Sequence, residues 1–166
     1  SEATPVKDVC KTTQENILVL TRRSKDNLFV FLGNLFSRDL QFKVLIHHPV
    51  TNQKLTIPYK GNYFLPSITM TIIPVNVKLT NLTTLVYTTS QVFYYVKNKN
   101  EKILIIYEKT GTCGETILEL EESLDVSSQI EYRYEGKNLY LNYVHLPCPR
   151  VVTIGKDFKL FILNTE

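Results

Sequence analysis

Apolar residues recur along this chain in short runs. Val, Ile, Leu, Phe, Tyr and Thr alternate with polar residues or stand in compact blocks, and turn residues separate the runs. Period-two alternation sends successive side chains to opposite faces of a strand. β-branched and aromatic runs bounded by Gly, Pro, Asn and Asp are strand signals. This pattern predicts strands at Asn16–Thr21, Leu28–Gly33, Gln41–His47, Gln53–Pro58, Ser67–Ile73, Thr84–Tyr87, Gln91–Val96, Lys102–Tyr107, Thr116–Leu120, Glu131–Tyr134, Leu139–Leu146, Val151–Ile154 and Phe158–Leu163. Helical periodicity is scarce; "LEESLDVSSQ" (Leu120–Gln129) alone suggests a short helical turn.

The connections carry turn chemistry. "KNKN" (Lys97–Asn100) is a polar tip between two apolar strands. "YEGKN" and "IGKDF" place Gly136 and Gly155 where a positive φ is needed. Pro49, Pro58, Pro66 and Pro74 favour edges or strand ends. Many closely spaced strands imply an all-β fold with little or no helix, an antiparallel β-sandwich of jelly-roll type. At 166 residues one domain is expected, with residues 1–26 as lead-in and first strand and 27–166 as the sandwich. The chain stops soon after a strand, at "FILNTE", as a module cut from a longer polypeptide would.

Composition is that of a globular protein, 43% hydrophobic and 21% charged. The net charge of +3 is too small to argue for nucleic acid. Its distribution is uneven: residues 1–83 hold ten Lys and Arg against five Asp and Glu, and residues 84–166 nine against eleven. The basic N-terminal half lacks the interleaved aromatics of a single-strand binding groove. No apolar run is long enough to span a bilayer. Neither a nucleic-acid partner nor a membrane span is expected.

Candidate chemistry is sparse. His47 and His48 are neighbours on a strand and face opposite ways, and His145 is remote, so no metal site is expected. Glu115, Glu119, Glu121 and Glu122 cluster around one strand, but "TILELEES" reads as an edge strand with solvated glutamates, and no cleft is implied for a carboxylate pair. No nucleophile elbow, phosphate loop or dinucleotide fingerprint is present, so neither catalysis nor a cofactor is expected. Cys10, Cys113 and Cys148 form no CxxC pair. A Cys113–Cys148 disulfide suits a secreted protein, and reduced packed thiols suit the residues as well. Asn81-Leu82-Thr83 is an N-glycosylation sequon and leans toward the secretory pathway or the extracellular space.

Ten Tyr and eight Phe accompany no Trp. Tyr132, Tyr134 and Tyr143 are candidates for an exposed carbohydrate-binding face; cross-strand packing with hydroxyls at the rim is the alternative use.

The order of segments adds a resemblance. "LVYTTSQVF" (Leu85–Phe93) followed by "EKILIIYEKTGTCGETILEL" (Glu101–Leu120) resembles the second, all-β domain of large β-galactosidases of glycoside hydrolase family 35. "NLFVFLGN" (Asn27–Asn34) resembles that domain's opening strand, "LTIP" (Leu55–Pro58) a short strand, and "RVVTIGKDFKLFILN" (Arg150–Asn164) its closing hairpin. The Gly-Gly turn of the family is "EKTGTCGE" here, with Gly111 and Gly114 apart, and its closing segment reads "ILNTE". The resemblance implies a non-catalytic module whose partners are a catalytic (β/α)₈ barrel and neighbouring β-domains of the same chain. It transfers no catalytic residue, because the catalytic glutamates belong to the barrel. A free-standing module that binds carbohydrate or protein, or a structural surface protein, are the alternatives the residues leave open.

Overall fold

The computed structural model describes residues 3–165. The chain is all-β, with no helix among the described residues, and its sheets are consistent with a β-sandwich. It gathers into two compact units, one up to Val77 and one from Lys78.

The first unit contains β1 (Thr4–Pro5), β2 (Cys10–Thr12), β3 (Leu18–Ser24), β4 (Asn27–Asn34), β5 (Leu40–Phe42), β6 (Val44–His47), β7 (Lys54–Ile57), β8 (Tyr63–Leu65) and most of β9 (Thr69–Lys78). Strands pair in the order β1-β3-β4-β9, with β2-β6-β7 and β5-β8 as smaller sheets. The single strand expected at Gln41–His47 is two strands in different sheets. Lys43 is the break: its ammonium donates to the Pro58 carbonyl at 2.9 Å and its amide donates to Thr13 Oγ1. Pro74, expected at an edge or strand end, lies within β9 opposite Phe29.

Register sorts the residues of β3, β4 and β9 cleanly. On the inner face Val19, Leu32 and Thr71 align, then Thr21, Val30 and Ile73, then Arg23, Leu28 and Val75. Leu28, Val30, Leu32, Ile73 and Val75 have no exposed surface. Phe42, Val44, Ile57 and Leu65 complete this core, and Tyr63 donates from its hydroxyl to Thr71 Oγ1 at 3.1 Å. On the outer face Leu18, Gly33 and Met70 align, then Leu20, Phe31 and Ile72, then Arg22, Phe29 and Pro74. This three-by-three array is apolar on both sides of its single glycine, with a charge only at Arg22.

The second unit contains β10 (Thr83–Thr88), β11 (Gln91–Lys97), β12 (Lys102–Lys109), β13 (Cys113–Leu120), β14 (Val126–Ser128), β15 (Tyr132–Glu135), β16 (Asn138–Val144), β17 (Arg150–Ile154) and β18 (Phe158–Thr165). Strands run β10-β13-β16-β15 in one sheet and β11-β12-β18-β17-β14 in the other. Leu85, Leu118, Leu139 and Leu141 from the first, with Leu104, Ile106, Leu160 and Ile162 from the second, are buried. The helical turn expected at Leu120–Gln129 does not form, since Val126–Ser128 pairs with β17 instead. The edge expected at "TILELEES" is also corrected: β13 is flanked by β10 and β16, so its carbonyls and amides are used on both sides. β12 and β18 pair in parallel over eight positions, Lys102 with Phe158 through Lys109 with Thr165. Asn98 builds the polar tip between β11 and β12, where its Oδ1 accepts from the Asn100 and Glu101 amides at 3.1 and 2.7 Å. Gly136 and Gly155 both adopt φ 60°, as their turns require.

Candidate functional site

The densest polar chemistry in the chain is a line of buried hydroxyls in the second unit. Thr88 Oγ1 meets Thr116 Oγ1 at 2.9 Å, and Thr116 Oγ1 meets the Tyr143 hydroxyl at 2.9 Å. That hydroxyl meets Ser90 Oγ at 2.9 Å, and Ser90 Oγ meets His145 Nε2 at 2.8 Å. His145 Nδ1 lies 2.6 Å from the Leu163 carbonyl. A carbonyl only accepts, so Nδ1 carries the ring proton and Nε2 of the neutral imidazole must accept. This one constraint sets the direction of the whole line. Ser90 donates to His145, Tyr143 to Ser90, Thr116 to Tyr143 and Thr88 to Thr116, and the Ser90 amide donates back to Thr88 Oγ1 at 3.3 Å. Every hydroxyl thus donates once and accepts at least once, as buried polar groups require. Burial lowers the pKa of His145, and the Arg150 charge lowers it further; the Leu163 carbonyl opposes both. Burial raises the pKa of the Tyr143 hydroxyl.

Ser90 and His145 stand at the distance of a nucleophile and its general base. Their surroundings are not those of an active site. Ser90 is 1% exposed and His145 0%, and a backbone carbonyl holds the position of a triad carboxylate. No acyl group can approach Ser90 Oγ, so the line joins β10, β13, β16 and β18 rather than performing a reaction.

Glu115 lies on the opposite face of the same sheet. The expectation of solvated glutamates fails for it: Glu115 is 2% exposed. The Tyr87 hydroxyl donates to its Oε1, and Asn142 Nδ2 donates to its Oε2 at 2.8 Å. Its backbone is tied as well, its amide donating to Thr89 Oγ1 at 2.9 Å. Glu119, Glu121 and Glu122 do not join it; Glu121 forms an exposed ion pair with Lys137 at 3.6 Å. Among the described residues no cluster of His, Cys, Asp and Glu is arranged to hold a metal.

The three tyrosines singled out from the sequence do not share one surface. Tyr132 and Tyr134 lie on the edge strand β15, 45% and 44% exposed, with rings edge to face at 6.0 Å. Tyr143 is buried, its hydroxyl held by Ser90 and Thr116. Cys113 and Cys148 are separate, exposed thiols in the structure, and Cys10 is half-buried. Desolvation pushes the Cys10 thiol up to about 12, so it stays protonated. Asn81 is exposed in the turn between β9 and β10, where the Thr80 hydroxyl accepts from the Leu82 and Thr83 amides. His47 is exposed, and His48 is buried with Nε2 donating to the Asp26 carbonyl at 2.8 Å. The two neighbours face opposite ways, as the alternation requires.

The line of hydroxyls escaped the sequence reading. Its members come from three strands and two loop positions up to 57 residues apart, His145 against Thr88. The available signal was the inward register of Leu139, Leu141 and Tyr143, which places a phenol inside and demands a partner for it.

Comparison with known families gives one match. The model described as "Beta-galactosidase, domain 2" matches residues 4–166. No curated protein matches the chain. The match covers essentially all of the chain and agrees with its all-β architecture. The chain belongs to the β-galactosidase domain 2 family, an accessory domain of a β-galactosidase.

Proposed function

We propose that this chain is the non-catalytic second domain of a family 35 β-galactosidase, that it packs against the catalytic barrel and neighbouring β-domains of its polypeptide, and that it helps shape the rim of the sugar pocket. The observation that carries this reading is the family match over residues 4–166. The burial of Ser90, His145 and Glu115 supports it, because the groups best suited to chemistry are closed to substrate. The isolated chain is expected to leave a chromogenic galactoside intact, while the natural polypeptide that contains it hydrolyses the substrate. Turnover by the isolated chain would overturn the reading.

One observation favours a second role. The exposed Tyr132–Tyr134 pair offers aromatic surface suited to a sugar ring. A glycan array with the Tyr132→Ala and Tyr134→Ala variants tests it, and equal binding by variants and parent, or none by either, removes it. The exposed sequon Asn81-Leu82-Thr83 supports an extracellular or secretory location, to be tested as a mass shift on enzymatic deglycosylation of protein from its natural host.

A further inference from the structure

The outer face of β3-β4-β9 is apolar where a surface strand of a free-standing domain would alternate to polar residues. Leu18 is 49% exposed, Leu20 46%, Ile72 43% and Met70 62%, and Phe31 lies half-buried between Leu20 and Ile72. These four exposed side chains alone present on the order of 400 Å², the size at which an exposed apolar patch marks an interaction site. The patch continues at one end into Ile68, which is 68% exposed.

Ile68 supplies a second, independent observation. Its φ is +48°, in the left-handed region, where a β-branched residue is a conformational outlier. Its amide is held by the Phe36 carbonyl at 3.2 Å, and Ser67 before it donates to Asp39 Oδ1 at 2.9 Å. A strained backbone thus holds an apolar side chain out beside an apolar face, and nothing in this unit covers it. Such strain clusters at functional positions.

We infer that this face is the surface on which an adjacent domain of the same β-galactosidase polypeptide packs permanently. The inference rests on the reading of the chain as one domain of such an enzyme, and it names the face that reading leaves open. The chemistry fits a permanent partner: the centre of the array has no charge, and Arg22 stands at its end, as in interfaces with apolar cores and polar rims. A linked domain is present at a millimolar effective concentration, whereas a second copy must be found by diffusion. The intramolecular partner is therefore the occupant.

Met70 makes the test direct, because it is the one methionine of the sequence. Thioether oxidation follows exposure, so peroxide treatment read by mass spectrometry on the peptide that carries Met70 reports this face, with oxidation of the exposed Cys113 and Cys148 read on other peptides. Met70 is expected to oxidise freely in the isolated chain and about tenfold or more slowly in the natural polypeptide, with the exposed Tyr132 equally labelled by hydroxyl radicals in both. Ile72→Lys is expected to restore Met70 oxidation in the natural polypeptide. A natural polypeptide with no further domain would overturn the accessory-domain reading. A multidomain polypeptide in which Met70 oxidises as fast as in the isolated chain would overturn this inference and leave that reading intact. Protection that appears in the isolated chain as its concentration rises, together with a dimer in sedimentation, would assign the face to a second copy and overturn it as well.

Discussion

Gly114 is the position at which one added methyl group should do most damage. It sits on β13 directly opposite Tyr143. A Cβ there would meet Tyr143 Cε2 at 2.2 Å, Tyr143 Cζ at 2.7 Å and Ser90 Oγ at 2.9 Å. Non-bonded carbons rest at about 3.5–4 Å, so the ring would have to move by more than about 1 Å. That displacement pulls the Tyr143 hydroxyl out of both of its 2.9 Å bonds, to Ser90 and to Thr116. Overpacking costs about 1–3 kcal/mol and each lost hydrogen bond about 1 kcal/mol. Gly114→Ala should therefore destabilise by about 3–5 kcal/mol, which lowers Tm by roughly 10 °C in a chain of this length. Chemical denaturation of Gly114→Ala, Tyr143→Val and the double variant measures the coupling. With the ring removed, the added methyl should cost under about 1 kcal/mol. Tyr143→Phe keeps the ring and should not relieve the clash. A Gly114→Ala variant as stable as the parent, or one whose cost is the same in the Tyr143→Val background, would refute the reasoning.

Other expectations follow from the same contacts. His145 has a lowered pKa in the folded chain, so the unfolded chain binds more protons; stability is complete above the ordinary value of 6.5 and falls as pH drops below it. Urea denaturation from pH 7.5 to 4.5 should show a smaller acid loss in His145→Gln than in the parent, since the amide can accept from Ser90 and donate to the Leu163 carbonyl without titrating. Glu115→Ala removes the acceptor that the Tyr87 hydroxyl and Asn142 share and should cost about 3 kcal/mol in thermal unfolding, with Glu115→Gln costing less. Ile68→Asn replaces a β-branched residue at φ +48° with one that tolerates that conformation, and should stabilise the isolated chain by about 1 kcal/mol in chemical denaturation.

The longer strands were legible because period-two alternation survives on both faces of the sandwich, whereas the two- and three-residue strands Thr4–Pro5, Cys10–Thr12, Tyr63–Leu65 and Val126–Ser128 are too short to show a period. Partner choice was not legible. The alternation of Leu40, Phe42, Val44 and Ile46 runs unbroken through Lys43, although the chain changes sheet there. "TGTCGE" reads as a turn by its glycines, yet β13 begins at Cys113, and Gly114 is there because the Tyr143 ring occupies the space of a side chain. The parallel pairing of β12 with β18 joins segments more than fifty residues apart, and nothing local in "KILIIYEK" or "FKLFIL" encodes the direction. Both runs are apolar at successive positions rather than alternating, a mark of parallel strands, and that was the available clue. Tyr132 and Tyr134, for which an exposed face and cross-strand packing were both open, are exposed on β15. Tyr143 was grouped with them because residue type alone does not reveal a register that turns a phenol inward.

The central claim is that this chain supports a galactosidase and supplies no catalytic group to it. The direct measurement is galactoside turnover, together with thermal inactivation, in the natural polypeptide carrying Ser90→Ala and Glu115→Gln. The account predicts an unchanged kcat at low temperature and a lower temperature of inactivation. A lost kcat with unaltered thermal inactivation would contradict it.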